Sequence, residues 1–143
     1  MIIRRMKEED LPEVQEMENS IFSKPWSITD FKDSMKKPHN IYLVVEERSE
    51  IVAYCGLWGV AGEGQINNVA VKKMLRGQGI GRNMLQELID LGKKQGLVAF
   101  TLEVRVGNLS AIALYRRLGF LDAGIRKNFY EAPAEDALIM WLQ

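Results

Sequence analysis

The chain has 143 residues, 19 basic and 19 acidic, and no net charge at pH 7; it lacks the broad positive field behind nonspecific nucleic-acid binding, so no direct nucleic-acid partner is expected. Apolar residues make up 47% and charged residues 27%, the balance of an ordinary globular protein, and one domain over residues 1–143 is expected. The lone Cys55 excludes an intrachain disulfide, no apolar run approaches the roughly 20 residues needed to span a bilayer, and the first ten residues carry no apolar signal region, so the expectation is a cytoplasmic protein without membrane contact.

Ile2 to Arg5 reads as a short first strand. Glu9 and Asp10 then open a helix with Pro12 in its first turn, where a missing N–H costs little. Leu11, Val14, Met17 and Ile21 supply its apolar face. Ser27 to Met35 reads as a second helix, with Ser27 as N-cap and Asp30 three residues on. Two strands follow, Asn40 to Val45 and Ile51 to Tyr54, joined by a polar turn over Glu46 to Glu50. A turn at Gly62 to Gly64 leads into a strand from Gln65 to Val71. Gly79 to Gln95 has Ile80, Met84, Leu85, Leu88 and Leu91 at helical spacing, closed by Gly96. Leu97 to Val104 is a strand, Asn108 to Leu118 a helix ended by Gly119, and Phe120 to Ile125 and Ala137 to Leu142 are the last strands. The order is β-α-α-β-β-β-α-β-α-β-β, an α+β arrangement.

The most informative stretch joins a strand ending Val69, Ala70, Val71 to the long helix through Arg76, Gly77, Gln78, Gly79, Ile80, Gly81 and Arg82. Glycines leave the main chain open to close approach. Backbone N–H groups and the helix dipole suit an anion, and two arginines flank the turn. No Walker loop is present. The dinucleotide fingerprint Gly-x-Gly-x-x-Gly fails, because Arg82 stands where its third glycine belongs. A glycine-rich structural turn stays open as the alternative.

Arg76-x-x-Gly79-x-Gly81, placed between that strand and that helix, resembles the coenzyme A-binding motif of GNAT acetyltransferases. Leu102 to Arg105, Asn108 and the run Ala111 to Phe120, with its Tyr-x-x-x-Gly-Phe ending, resemble the family's next strand and helix. Lys24 to Ser27, Arg126 to Tyr130 and Glu135 to Met140 resemble one branch, the bacterial ribosomal-protein-alanine N-acetyltransferases (the RimI family). The chain departs from that branch at Lys24, where an aromatic is common.

The resemblance implies a mixed, mostly antiparallel sheet of six or seven strands flanked by about four helices. It implies acetyl-CoA as acetyl donor, with pantetheine entering between the splayed strands of Val71 and Glu103 and pairing with the main chain of Val69, Ala70 and Val71. Asn108 is an N-cap by its position, and the family adds a coenzyme contact. The acceptor implied is a protein N-terminal α-amine, the N-terminal alanine of a small-subunit ribosomal protein. A lysine or small-molecule amine acetyltransferase and a non-catalytic coenzyme A-sensing module are the alternatives.

Glu103 shares a strand face with Thr101 and Arg105 and reads as a solvated charge on pattern alone; the resemblance makes it the proton acceptor. Tyr115 falls with Ala111, Leu114 and Leu118 on a core-facing stripe; the resemblance makes it the proton donor to the departing thiolate. Trp26 is a core anchor or a wall for the acceptor, and Tyr130, with Phe129, belongs to the opposite wall. His39 is a lone histidine in a turn and Cys55 sits in an apolar run, so neither a nucleophile system nor a metal site is expected.

Overall fold

A computed structural model describes all 143 residues. Seven strands form one sheet in the order β1-β2-β3-β4-β5-β7-β6: β1 (Ile2–Arg5), β2 (Ile41–Glu47), β3 (Glu50–Val60), β4 (Glu63–Val71), β5 (Ala99–Arg105), β6 (Leu121–Glu131) and β7 (Ala134–Leu142). Every neighbouring pair is antiparallel except β4 with β5. The helices are α1 (Leu11–Ile21), α2 (Ile28–Met35), α3 (Ile80–Lys94) and α4 (Leu109–Arg117), and the element order is the one expected.

Two layers of apolar packing sandwich the sheet. On one face α3 and α4 bury Ile80, Met84, Leu85, Leu88, Ile89, Ile112 and Tyr115 against Leu43, Cys55, Leu102 and Val104. Each such aliphatic side chain gains about 1.5–3 kcal/mol on burial. On the other face α1 and α2 bury Leu11, Val14, Met17 and Phe31 against Tyr42, Val44, Tyr54 and Ala70. Ser27 caps α2 as the sequence predicts: its hydroxyl accepts from Asp30 N and Asp30 accepts from Ser27 N. Burial of Asp10 at the start of α1 is compensated by Arg4, which donates to both its oxygens at 2.8 Å and holds its carboxyl below the usual range.

Several boundaries differ from the sequence reading: β3 runs on past Tyr54 to Val60, β5 starts at Ala99, not Leu97, and β7 starts at Ala134, not Ala137. The turn expected over Glu46 to Glu50 is a two-residue hairpin turn, Arg48 and Ser49, both at positive φ, the twist that matches flanking strands. The β3–β4 turn is likewise Ala61–Gly62, not Gly62 to Gly64. Gly64 lies inside β4, where Phe100 and Leu97 fill the space a Cβ would take, at 3.0 and 3.1 Å. β6 runs on past Ile125 to Glu131 and so absorbs the segment Arg126 to Tyr130.

Candidate active site

β4 and β5 pair only at Glu63–Gln65 with Ala99–Thr101. Beyond that point Ile66–Val71 stays on β3 and Leu102–Arg105 on β7, so the two strands part. The register of β3 with β4 slips between Tyr54 and Gly56, and Asn68 opposite the slip has φ +49°. An extra residue of this kind bends a strand and redirects its side chains. The resulting cleft has a volume of about 730 Å³.

The main chain of Val71 faces this gap. Lys72 N donates to Val52 O, and hydrogen bonding alternates sides along an antiparallel strand, so the amide groups of Val71 point away from β3. Arg76 Nε donates to Val71 O at 3.0 Å. Arg76 also lines a separate hollow with Glu13, Glu50 and Lys72. Beyond it the glycine turn has Gly77 at φ +81° and Gly79, the N-cap of α3, at φ +84°. A Cβ at either would meet nothing within 4 Å, so the chain there is open and needs glycine for its conformation. Gly81 has another reason: it is buried, and a Cβ would stand 3.3 Å from Leu114 and 3.5 Å from Val71. Gln78 and Arg82 are exposed beside it, and Ile80 is a core residue. The 15-residue α3 aims its free N–H groups and dipole at this surface.

Glu103 and Tyr115 both line the cleft. Glu103 accepts from Gln65 Nε2 at 3.4 Å, and Arg126 Nε stands 3.5 Å from its other oxygen, which is buried and lacks a hydrogen bond. Tyr115 is 7% exposed and packs edge-on to Phe120 at 6.0 Å. Burial, with smaller effects of Tyr130 and Cys55, raises its phenol pKa well above the ordinary value. Asn108 caps α4 by accepting from Ala111 N and also lines the cleft.

Trp26, between α1 and α2, and Tyr130, on β6, both line the cleft. Trp26 stacks on Trp58 at 6.0 Å and 28°. Arg105 lies 4.3 Å over the Tyr130 ring while pairing with Glu135, whose other oxygen accepts from Gly107 N; the last hairpin is thereby fastened to the end of β5. Lys24 and Glu131 form an exposed ion pair from wall to wall. His39 is exposed. Cys55 is fully buried, which pushes its thiol pKa up, the opposite of an activated nucleophile. No group of three or more His, Cys, Asp or Glu side chains gathers in metal-binding proximity.

Among the cleft residues that sequence reasoning missed are Glu18, Asn67 and Asn68. Glu18 is 2% exposed; it accepts from Trp26 N at 2.9 Å and Tyr54 Oη at 2.6 Å. Burial raises its pKa, opposed by the Trp26 N–H, the Tyr54 hydroxyl and the Asn68 amide. The signal was a glutamate on the apolar stripe Leu11, Val14, Ile21. Two asparagines inside a strand, where both are disfavoured, were a second signal.

The profile of the Acetyltransferase (GNAT) family matches residues 11–120. A Bacillus subtilis protein, named provisionally as a ribosomal protein bS18-alanine N-acetyltransferase, is 40% identical over 98% of this chain and 93% of its own. The ribosomal protein bS18-alanine N-acetyltransferase of Escherichia coli K12 is 34% identical over 98% and 95%. The crystal structure of the Escherichia coli ribosomal-protein-S18-alanine N-acetyltransferase superposes with a TM-score of 0.88 over 99% of this chain and 92% of that one. With its profile match running from α1 to just past α4, the chain belongs to the GNAT family of acetyltransferases.

Proposed function

We propose that the protein transfers the acetyl group of acetyl-CoA to the N-terminal α-amine of a protein, the N-terminal alanine of a small-subunit ribosomal protein being the acceptor class. The acceptor is carried over from the printed activity of the Bacillus subtilis and Escherichia coli relatives. The observation that carries the chemistry is the meeting of Glu103 and Tyr115 in the cleft between the parted ends of β4 and β5. The glycine turn and the N-terminus of α3 hold the pyrophosphate, and the main chain of Val69 to Val71 lines the pantetheine arm. A continuous seven-stranded sheet supports action as one domain, and the free buried thiol of Cys55 suits the reducing cytoplasm.

In this reading both substrates are held together and no covalent enzyme intermediate forms. The amine nitrogen bonds to the thioester carbonyl carbon and the carbon–sulfur bond breaks. Glu103, directly or through water, accepts the proton the amine sheds, and Tyr115 gives its phenolic proton to the departing sulfur. An α-amine, with a pKa of about 7.7–8.0, needs far less help to deprotonate than a lysine near 10.4. The test is a peptide with a free N-terminal alanine and an internal lysine, mapped by fragment mass spectrometry. Acetylation at the α-amine is expected. Labelling at the lysine contradicts the acceptor assignment, and coenzyme A binding without transfer contradicts the enzyme assignment.

A further inference from the structure

We propose that Asn67 and Asn68 bind the amino terminus of the acceptor, with the Asn67 amide nitrogen donating to its first peptide carbonyl and the Asn68 carbonyl oxygen accepting from its α-ammonium beside Glu103; the assignment rests on the N-acetyltransferase reading. Buried polar atoms in folded chains nearly always have a partner, and each exception calls for a reason. Three buried side-chain polar atoms here lack a hydrogen bond: Asn67 Nδ2, Asn68 Oδ1 and Glu103 Oε2, the last facing Arg126 Nε at 3.5 Å. All three belong to residues that line the same cleft.

They also lie on one face of the sheet. Leu102 and Val104 enter the core beneath α3 and α4, so Glu103 between them faces the side of α1 and α2. In a regular strand Asn67 and Asn68 would point to opposite faces. The extra residue in β4 removes that alternation. Asn67 meets Tyr42 on the side of α1 and α2, and Asn68 lines the same cleft as Glu18 of α1.

A chain of hydrogen bonds ends on Asn67 and shows which end of its amide is free. Trp58 Nε1 and Asn40 Nδ2 can only donate, and both reach Ser34 Oγ, at 2.8 and 3.1 Å. Ser34 Oγ and Tyr42 Oη share a hydrogen bond at 2.7 Å, Trp58 Nε1 also reaches Tyr42 Oη at 3.0 Å, and Tyr42 Oη donates to Asn67 Oδ1, which can only accept, at 3.4 Å. Gly56 permits this reach. It sits between Tyr42 on β2 and Asn67 on β4, and a Cβ there would stand 2.2 Å from the Tyr42 ring. With Oδ1 taken, Nδ2 is the free end of Asn67. Asn68 Oδ1 is itself the buried end left without a hydrogen bond.

Two acceptors and one donor complement a peptide amino terminus, whose ammonium donates and whose first carbonyl accepts. Solvent reaches none of the three atoms, so the acceptor must part the walls. Lys24 and Glu131 form an exposed ion pair there, and exposed pairs of this kind hold weakly.

The test compares an N-terminal alanine peptide with its isostere carrying an alkene in place of the first peptide bond. Dissociation constants are measured by calorimetry on the wild type, Asn67→Leu and Asn68→Gly, each saturated with coenzyme A. Asn68→Gly keeps the left-handed backbone; Asn67→Leu keeps the strand and the approximate volume. The wild type is expected to bind the isostere about ten-fold more weakly than the peptide. Asn67→Leu should lose a similar factor on the peptide and nothing further on the isostere, and Asn68→Gly should weaken both acceptors several-fold. Coenzyme A affinity should be unchanged in both. Equal losses on peptide and isostere for Asn67→Leu, or unchanged peptide affinity in both variants, would overturn the assignment. Turnover of the parent peptide by the wild type is measured separately and bears only on the underlying activity.

Discussion

Glu103 and Tyr115 reach one cleft from opposite faces of the sheet. Glu103 stands on the side of α1 and α2, beside Gln65 and Arg126. Tyr115 rises from α4 through the apolar layer that holds Leu102 and Val104. The parting of β4 from β5 makes this possible, since a closed sheet would separate the two side chains. It also divides the labour proposed for them: a base on the face where an acceptor enters, and an acid beneath the thioester. A phenol whose pKa burial raises stays protonated throughout the pH range of any ordinary assay.

Gly79 and Gly81 are expected to fail differently. Gly79→Val forces a β-branched side chain to φ +84°, costing about 1–2 kcal/mol, and places bulk on the open surface where the pyrophosphate is proposed to lie. Calorimetry should show acetyl-CoA affinity falling by roughly ten-fold or more, beyond what the loss of stability explains. Gly81→Val drives carbon into Leu114 and Val71, an overpacking worth about 1–3 kcal/mol, so urea unfolding should register it most strongly. Unchanged affinity in Gly79→Val would remove the phosphate site from this turn.

Trp26→Ala removes the ring that stacks on Trp58 and packs 5.1 Å from Phe31. If Trp26 walls the acceptor groove, peptide KM should rise by roughly ten-fold while acetyl-CoA affinity stays near wild type. Equal weakening of both substrates would make it a core anchor alone.

Glu18 carries a pH signature. Its carboxyl binds a proton more tightly in the folded chain than at the unfolded value of about 4.3, chiefly because it is buried. Its contribution to stability therefore falls as pH rises from about 4.3 through the raised folded value, and the penalty is complete above it. Glu18→Gln cannot titrate. The stability of the variant relative to wild type should be lowest in acid and should climb across that window in urea unfolding. A difference independent of pH would contradict the assignment.

Much of this was written in local pattern. The capping pair Ser27 and Asp30, the stripe of α3 and the glycines before it each answer to one short-range rule, and all appear in the structure. Other features depend on partners far along the chain. β6 lies at the sheet edge and is exposed over nearly all its length, so it has no apolar alternation to read. β3 runs through Gly56 and Gly59, which look like breakers until Tyr42 and His39 are found filling the space beside them. Asn67 and Asn68 escaped because the extra residue in β4 cancels the alternation by which strand faces are assigned. Glu18 was legible as a charge on an apolar stripe, but its purpose required Trp26, Tyr54 and Asn68 in three dimensions.

The most direct test of the account is kcat/KM on an N-terminal alanine peptide for Glu103→Gln and Tyr115→Phe across pH, with unfolding controls. Each variant should bind acetyl-CoA normally and lose about 10²–10⁴-fold in rate, the usual worth of general acid–base catalysis. The Glu103→Gln deficit should be largest in acid and narrow as pH rises through the amine pKa of about 8, where the substrate deprotonates unaided. The Tyr115→Phe deficit should persist through that range, because the departing thiolate still lacks its proton donor. Wild-type rates in both folded variants at every pH would contradict the account, leaving Glu103 a strand-face charge and Tyr115 a core aromatic.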